Sequence, residues 1–487
     1  MRYRIYPPIG IARVGSDPEF FLTPEKGPGL HSEPDKAGDT RVTRFKSANG
    51  KAMRKQAVRF HIFQSEDGES WEPLQLEDGG VVEWSVSIEN KKSAVVRPSN
   101  PPTAPTHPSL MPNSGNLHIV GGSRSISGAN ELAAPFVDTF TVDQFSADVN
   151  LGRLATDSRG RLIVMGGDGA AGAPAGTPIG GGGGTSYYRN PNWFDDVADG
   201  PVKATVRING QSDPVDADPA WVVVGPPGYA PGIQGLVTMH DVLRQIGIDA
   251  FNQQEPDAVS YESDVLPIIT RAKLLRWVHD DATWSATEFD SPLLSSPDAS
   301  AQQTREAVKD LILSAESILE GHVSSAGPPY RIRTFQKQIL DRWVAGDFVS
   351  GNPIDQSEFS PETLTRASLD EAVGQGFCPG IEAGILLTDP SIYVDPFDYR
   401  LDHNTLEPGD VTALMAQPWQ ADYLKCHTEW WPSQRPDLAP QSDGSFKPWN
   451  RGAQTHEAMV ANCERLGVVV KSTDQEVFVE VERDEEL

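Results

Sequence analysis

The stretch "AWVVVGPPGYAPGIQGLVTMHDVLRQIGIDAFNQQ", Ala220 to Gln254, changes its hydrophobic period partway along. Its opening, "AWVVVGPP", is a β-branched and aromatic run closed by Gly and Pro, the composition of a strand that ends in a turn. From about residue 236 the apolar residues recur at three- and four-residue intervals, the period of an amphipathic helix. Most of the chain before this switch reads like its first half, and the chain after it begins like its second.

Upstream, "AVRFHIF" (57–63), "VVEWSVSIE" (81–89), "GNLHIVGG" (115–122), "GRLIVMGG" (160–167) and "PVKATVRI" (201–208) are further strands bounded by Gly, Pro, Asn or Asp. Two long connectors interrupt them. "RPSNPPTAPTHPSLMPNSG" (97–115) is Pro-rich and expected to be extended, while "GGDGAAGAPAGTPIGGGGGTS" (166–186) has almost no side chain to bury. Downstream, "ESDVLPIITRAKLLRWVHDD" (262–281), "SAQQTREAVKDLILSAESILEG" (300–321), "RIRTFQKQILDRWVAG" (331–346) and "SPETLTRASLDEAV" (360–373) carry helical spacing. Ser300 and Gly321 are the expected caps of the second of these, and Ser360 before Pro361 opens the last. The final part is loop-rich and ends on a strand, "EVFVEVER" (476–483). The predicted class is therefore α+β: a β-rich N-terminal half with long loops (1–235), a helical middle segment (236–375) and a loop-rich C-terminal part (376–487) carrying the unusual residues.

At 487 residues the chain can bury a large core, and 38% hydrophobic with 22% charged residues describes a globular protein. The 41 Lys and Arg against 68 Asp and Glu give a net charge of −27, which excludes the clustered basic surface that nucleic acid or an anionic membrane requires. Such a field would attract a small amine. The three cysteines, Cys378, Cys426 and Cys463, make no disulfide scaffold. The start, "MRYRIYPPIG", lacks the apolar core of a signal peptide, and no apolar run is long enough to span a bilayer. A soluble protein is expected, cytoplasmic or exported without a signal peptide.

Several motifs invite chemistry. The Gly-rich stretch has neither dinucleotide-binding Gly-x-Gly-x-x-Gly spacing nor the Gly-Lys-Ser/Thr ending of a P-loop, so no bound nucleotide is expected. "NWFDDVADGPV" groups Asp195, Asp196 and Asp199 with a spacing that Ca²⁺ or Mg²⁺ can use. It lacks the Gly and closing Glu of an EF-hand, so the first reading is caps on backbone N–H groups, and a cation site or metal-dependent hydrolase is the lesser one. His240 and His403 stand singly, where a structural role is ordinary. Cys378, in "GFCPGIEAG", reads equally as a pocket thiol on a turn or as a small apolar filler, and Cys463, in "MVANCERLGVVV", reads as core.

One segment resists a bland reading: "PWQADYLKCHTEWWPSQRP" (418–436). If its start is helical, Asp422 and Cys426 stand at i and i+4 on one face. A carboxylate beside a thiol discourages the thiolate, so the pair makes a poor nucleophile. Asp422 is better suited to taking a proton from another group, and the nearest unusual group is an indole. A thioether from a cysteine to an oxidised tryptophan, with the aspartate as base, uses all three parts. An aromatic-rich surface loop with a chance cysteine is the alternative that spacing alone leaves open.

"RLDHNTLEPGDVTALMAQPWQADYLKC" followed by "WWPSQRPD" resembles the C-terminal part of the LodA-like family, the cysteine tryptophylquinone (CTQ) dependent amino-acid oxidases of the lysine ε-oxidase and glycine oxidase type. "IYPPIGIARVG" (5–15), "WFDDVADGPV" (193–202), "VVVGPPGYAPGIQGLVTMHDV" (222–242) and "FCPGIEAG" (377–384) agree in the same order. The resemblance implies that Cys426 and Trp431 form the quinone, with Trp430 and Trp449 as alternatives for the tryptophan half, and that Asp422 is the carboxylate needed to form it. Cys378 and His403 fall where the family places active-site residues. His240 stands before Asp241 where the family often has an aromatic residue, a departure that bears on specificity. The implied reaction joins a primary amine of an amino acid to the quinone; Asp422 or His403 removes a proton from the amine-bearing carbon. Water and O2 complete the cycle, giving hydrogen peroxide and ammonia. A separate flavoprotein partner for maturation and association into a homo-oligomer are also implied. The competing reading is a quinone-free scaffold that only binds, for which Asp422, Cys426 and Trp431 would all be dispensable.

Overall fold

The computed structural model describes the chain except residues 28–29, 35–40, 77–79, 97–106, 112–114, 181–188, 209–212, 256, 279–288, 321–331, 352–358, 375–381, 426–433 and 473–476, and the side chains of 314–320 and 425. The class is α+β. Nine of the strands described in the N-terminal half build the main sheet around the site: β1 (Arg2–Tyr6), β2 (Ile9–Arg13), β3 (Arg54–Ser65), β4 (Val81–Asn90), β5 (Ile119–Ser127), β6 (Gly152–Thr156), β7 (Leu162–Gly166), β8 (Ala198–Arg207) and β9 (Ala220–Gly225). They belong to one 12-stranded sheet in the order β6-β7-β3-β2-β9-β8-β4-β5, with β1 paired to β3.

The predicted strands fall on β3, β4, β7, β8 and β9, while "GNLHIVGG" is only half in register because β5 begins at Ile119. Sequence reading passed over β1, β2 and β6, which are five residues each. In β2, "IGIAR", Gly10 breaks the β-branched run. An added Cβ there would lie 2.4 Å from the ring of Phe60, so a strand of poor intrinsic preference is imposed by close packing.

β2 and β9 run parallel, from Ile9 beside Trp221 to Arg13 beside Gly225. Every residue of both is buried, as expected of parallel strands covered on both faces. This pair fixes where the site forms, because the turn "PPGY" (226–229) leaves from its carboxyl end.

The helices are α1 (Met239–Phe251), α2 (Leu266–Leu275), α3 (Gln302–Glu320), α4 (Thr334–Ala345), α5 (Pro361–Asp370), α6 (Gly384–Leu387), α7 (Trp419–Lys425) and α8 (His456–Asn462). Thr238 and Asp241 make a capping box on α1, Ser360 caps α5, and Gly346 ends α4 at a φ of 80°. α5 lies on β2: the Ser368 hydroxyl donates to the carbonyl of Ile9 at 2.8 Å and accepts from the N–H of Ile11 at 3.2 Å.

Two boundaries differ from expectation. The 262–281 segment opens with a π turn, Tyr261–Val265, and its α-helix stops at Leu275. Ser300 is not a cap; it lies inside a 3-10 turn, Ala299–Ala301, that feeds α3, and Asp298 holds the cap position. Gly321 lies outside the described residues. A single buried apolar cluster runs from Tyr3 to Phe478, so sheet and helices share one interior. Among the described residues no helix is long and apolar enough to cross a membrane.

Candidate functional site

α7 has seven residues, too few to be stable alone, so tertiary contacts must hold it. At its start, the Asp195 carboxylate accepts the N–H of Trp419 at 2.9 Å and pairs with Lys92, and both side chains are almost wholly buried. The Asn90 amide donates to Asp195 Oδ1 at 3.1 Å. Just before the helix, the Gln417 amide donates to the Ser93 hydroxyl at 2.6 Å, and Asn190 donates to the Gln417 carbonyl at 2.7 Å. At the other end, the Tyr423 hydroxyl donates to the carbonyl of Pro227, and Arg435 Nε donates to the carbonyl of Tyr423 at 2.7 Å.

Aromatic rings pack around this helix. Tyr423 meets Trp419 edge-on at 5.0 Å and Tyr229 at 6.0 Å, and Tyr229 tilts against Trp449 at 4.8 Å. The Trp449 indole N–H donates to Gly467 O at 2.8 Å. Beside these rings sits Asp422, 0% exposed, with neither carboxylate oxygen hydrogen-bonded among the described residues. Burial raises its pKa to about 7, against the opposing pull of Arg435 and Lys92. An unpartnered carboxyl in such a place destabilises the fold, which makes it a candidate for function.

The other predicted residues distribute as follows. Asp195 holds α7. Asp196 accepts from the N–H groups of Gly169 (2.6 Å) and Ala170 (3.2 Å), and burial pushes its pKa up to about 8. Asp199 accepts from the Trp221 indole (3.0 Å), the Thr412 N–H (2.8 Å) and the Thr412 hydroxyl (2.6 Å); burial raises it to about 6 despite those bonds. All three carboxylates bind backbone or side-chain donors, and among the described residues no group of three or more His, Cys, Asp or Glu is placed to hold a metal ion.

His403 packs edge-on against Trp221 at 5.0 Å, both ring nitrogens lack hydrogen bonds among the described residues, and burial lowers its pKa to about 4. Trp221 lies near the start of β9, whereas Tyr423 bonds Pro227 beyond its end. His240 lies in the first turn of α1, stacked on Tyr399 at 5.8 Å, and burial lowers it to about 4 as well. Neither histidine bonds to or stacks on α7 among the described residues. Cys463 is buried at the end of α8, its sulfur 3.4 Å from the Tyr229 hydroxyl, and burial raises its pKa strongly.

Cys378, Cys426, Trp430 and Trp431 lie outside the described residues, but the chain around their segments is anchored. After 375–381 it returns at Glu382, which pairs with Arg13 at 2.7 Å while Arg13 also donates to Pro226 O at 2.8 Å. After 426–433 it returns at Gln434, whose carbonyl accepts the N–H of Tyr229 at 3.0 Å. Both returns are thus fixed to residues 226–229. Sequence reading missed the residues that do this, Arg13, Lys92, Tyr229, Tyr423 and Arg435. Tyr423 and Arg435 stood in the quoted segment, but only the fold relates Lys92 and Arg13 to it.

Family models agree with this arrangement. The model described as L-lysine epsilon oxidase N-terminal matches residues 6–224, and the L-lysine epsilon oxidase C-terminal domain model matches residues 328–447. The chain belongs to the LodA-like family. L-lysine 6-oxidase from Marinomonas mediterranea is 28% identical to it over 537 aligned positions, spanning 88% of this chain and 71% of that protein. Two crystal structures of L-Lys epsilon-oxidase from the same organism, one of a Schiff base intermediate with L-Lys, superpose with TM-scores of 0.78 and 0.77 at 22% identity, covering all of this chain and 95% of each of theirs. At that identity the superposition speaks for a shared LodA-like fold. Helix α7 and the anchor at Arg435 both fall within the matched C-terminal family region.

Proposed function

We propose that this LodA-like chain is an amino-acid oxidase working through a cysteine tryptophylquinone made from its own Cys426 and Trp431. Asp422 carries the reading: a buried carboxyl with neither oxygen partnered among the described residues, on a helix pinned at both ends, four residues before a cysteine in the sequence. The residues present fit such a group, since a water-excluding aromatic wall and an unengaged base are what its formation and use demand. When formed, a tryptophylquinone supplies an electrophilic carbonyl and a two-electron sink that no ordinary side chain has.

The chain's own residues then have definite tasks. Asp422, with its pKa near 7, can accept a proton at either oxygen and release it again at neutral pH. That suits it both to maturation and to removing the proton from the amine-bearing carbon of the substrate. His403, packed on Trp221, stays the second candidate for that proton. Asp195 and Lys92 orient the start of α7, and Tyr423 fixes its end. A cleft of about 1020 Å³ shares Pro231, Gly232, Gln234, Asp370 and Glu371 with a smaller cavity that reaches Arg13 and Gln434. Overall, amine, O2 and water become a carbonyl compound, ammonia and hydrogen peroxide, the electron pair passing from the substrate carbon to oxygen. A separate flavoprotein inserts the two oxygens into Trp431, and the mature protein assembles as a homo-oligomer.

The test is expression with and without the flavoprotein. Coexpressed chain should show two free thiols after denaturation where the sequence has three cysteines, and should release peroxide with at least one of the twenty amino acids. Three thiols and no peroxide in both preparations would leave only a binding scaffold.

A further inference from the structure

We infer that Arg435 is a positioning residue for the cofactor-forming segment: it ties the chain's return from that segment to the last turn of α7 and brings a buried positive charge to the residue next to Asp422. This rests on the function proposed above and assigns it a residue outside the cysteine, tryptophan and aspartate set.

Three observations converge on Arg435. It is 1% exposed, and its Nε donates at 2.7 Å to the carbonyl of Tyr423, a group that the end of a helix leaves without an internal partner. Its neighbour Gln434 bonds Tyr229 through the backbone, so residues 434 and 435 together fix the return beside Pro227 and Tyr229. The guanidinium also reaches Asp437 Oδ1 at 3.3 Å and lies 5.8 Å from the ring of Trp449.

Charge supplies the second half of the argument. Among the described residues the cations acting on Asp422 are Arg435 and Lys92; the anions acting on Arg435 are Asp437 and Asp422, with the Tyr423 phenol beside them. Lys92 is already engaged with Asp195. Arg435, bonded to the residue next to Asp422, is therefore the described cation to remove in testing how readily Asp422 ionises. A planar guanidinium can donate to a carbonyl through Nε while an Nη faces a carboxylate; an ammonium keeps the charge but cannot reproduce both contacts. The two functions can thus be separated by substitution.

The experiment compares wild type, Arg435→Lys and Arg435→Met, each coexpressed with the flavoprotein, by thiol count, by circular dichroism and by peroxide release per cross-linked chain against pH. Arg435→Met should fold, cross-link in a smaller fraction of chains, and move the acidic limb of the pH profile upward by roughly one unit or more, because an opposite charge near a carboxylate lowers its pKa by about that much. Arg435→Lys should also cross-link less but keep the wild-type limb. A folded Arg435→Met with wild-type thiol count and pH limb overturns the inference. If Arg435→Met does not fold, Arg435→Lys decides alone: wild-type cross-linking there, or a displaced limb, overturns it. Three free thiols in wild type would instead sink the quinone reading itself, so the two failures are distinguishable.

Discussion

Replacing Asp422 by Asn in the chain expressed alone should make the protein more stable in alkaline solution while removing its capacity to mature. The carboxyl is held from an ordinary 3.8 up to about 7 by burial, with no hydrogen-bond partner among the described residues. That is roughly three pH units at about 1.36 kcal/mol each, so the native state favours the neutral form by on the order of 4 kcal/mol. The folded chain keeps a proton that the unfolded chain releases. Its contribution is complete below about pH 4 and is lost as pH rises through about 7. Between pH 5 and pH 8 the stability of wild type relative to Asp422→Asn should therefore fall by about 3 kcal/mol. Any fixed cost of seating the amide cancels in that difference. Urea denaturation of both proteins at several pH values measures it. A difference that stays flat within about 1 kcal/mol would mean that Asp422 is partnered or wet, and would remove the basis for its role.

Asp196→Asn should flatten another part of the same profile, since Asp196 is raised to about 8 and its stabilising proton is lost between about pH 4 and pH 8; an unchanged slope in urea melts would contradict this. Lys92→Met should cost about 3–5 kcal/mol by stranding the buried Asp195 carboxylate, with faster amide exchange at Trp419, and a cost near zero would show that α7 is held otherwise. Trp449→Phe should cost about 1–3 kcal/mol through the lost bond to Gly467, yet leave two free thiols after coexpression, whereas Trp431→Phe should leave three. The opposite pattern would move the cofactor to Trp449.

Much of the fold could be read from the sequence wherever local signals agreed with tertiary demands. The switch at residue 236 was plain because strand composition, turn residues and helical period changed together. Short strands such as "IGIAR" escaped because their pairing comes from distant partners, Trp221 to Gly225 and Phe60, and not from their own preference. Ser300 misled because a 3-10 turn precedes α3 and shifts its start. At the site, i to i+4 spacing placed Asp422 and Cys426 in one segment, and Asp422 proved to be buried. The spacing said nothing of Arg435 folding back onto Tyr423, nor of Lys92 and Asp195 arriving from the sheet. Those relations depend on chain reversals between residues far apart in sequence, which periodicity does not encode.

The most direct test is peptide mass mapping of chain purified after coexpression with an active flavoprotein. The account predicts one cross-linked species joining the Cys426 and Trp431 peptides, heavier by two oxygens and lighter by the hydrogens lost in oxidation and thioether formation. Recovery of both peptides separate and unmodified, from a preparation whose partner flavoprotein is demonstrably active, would contradict it.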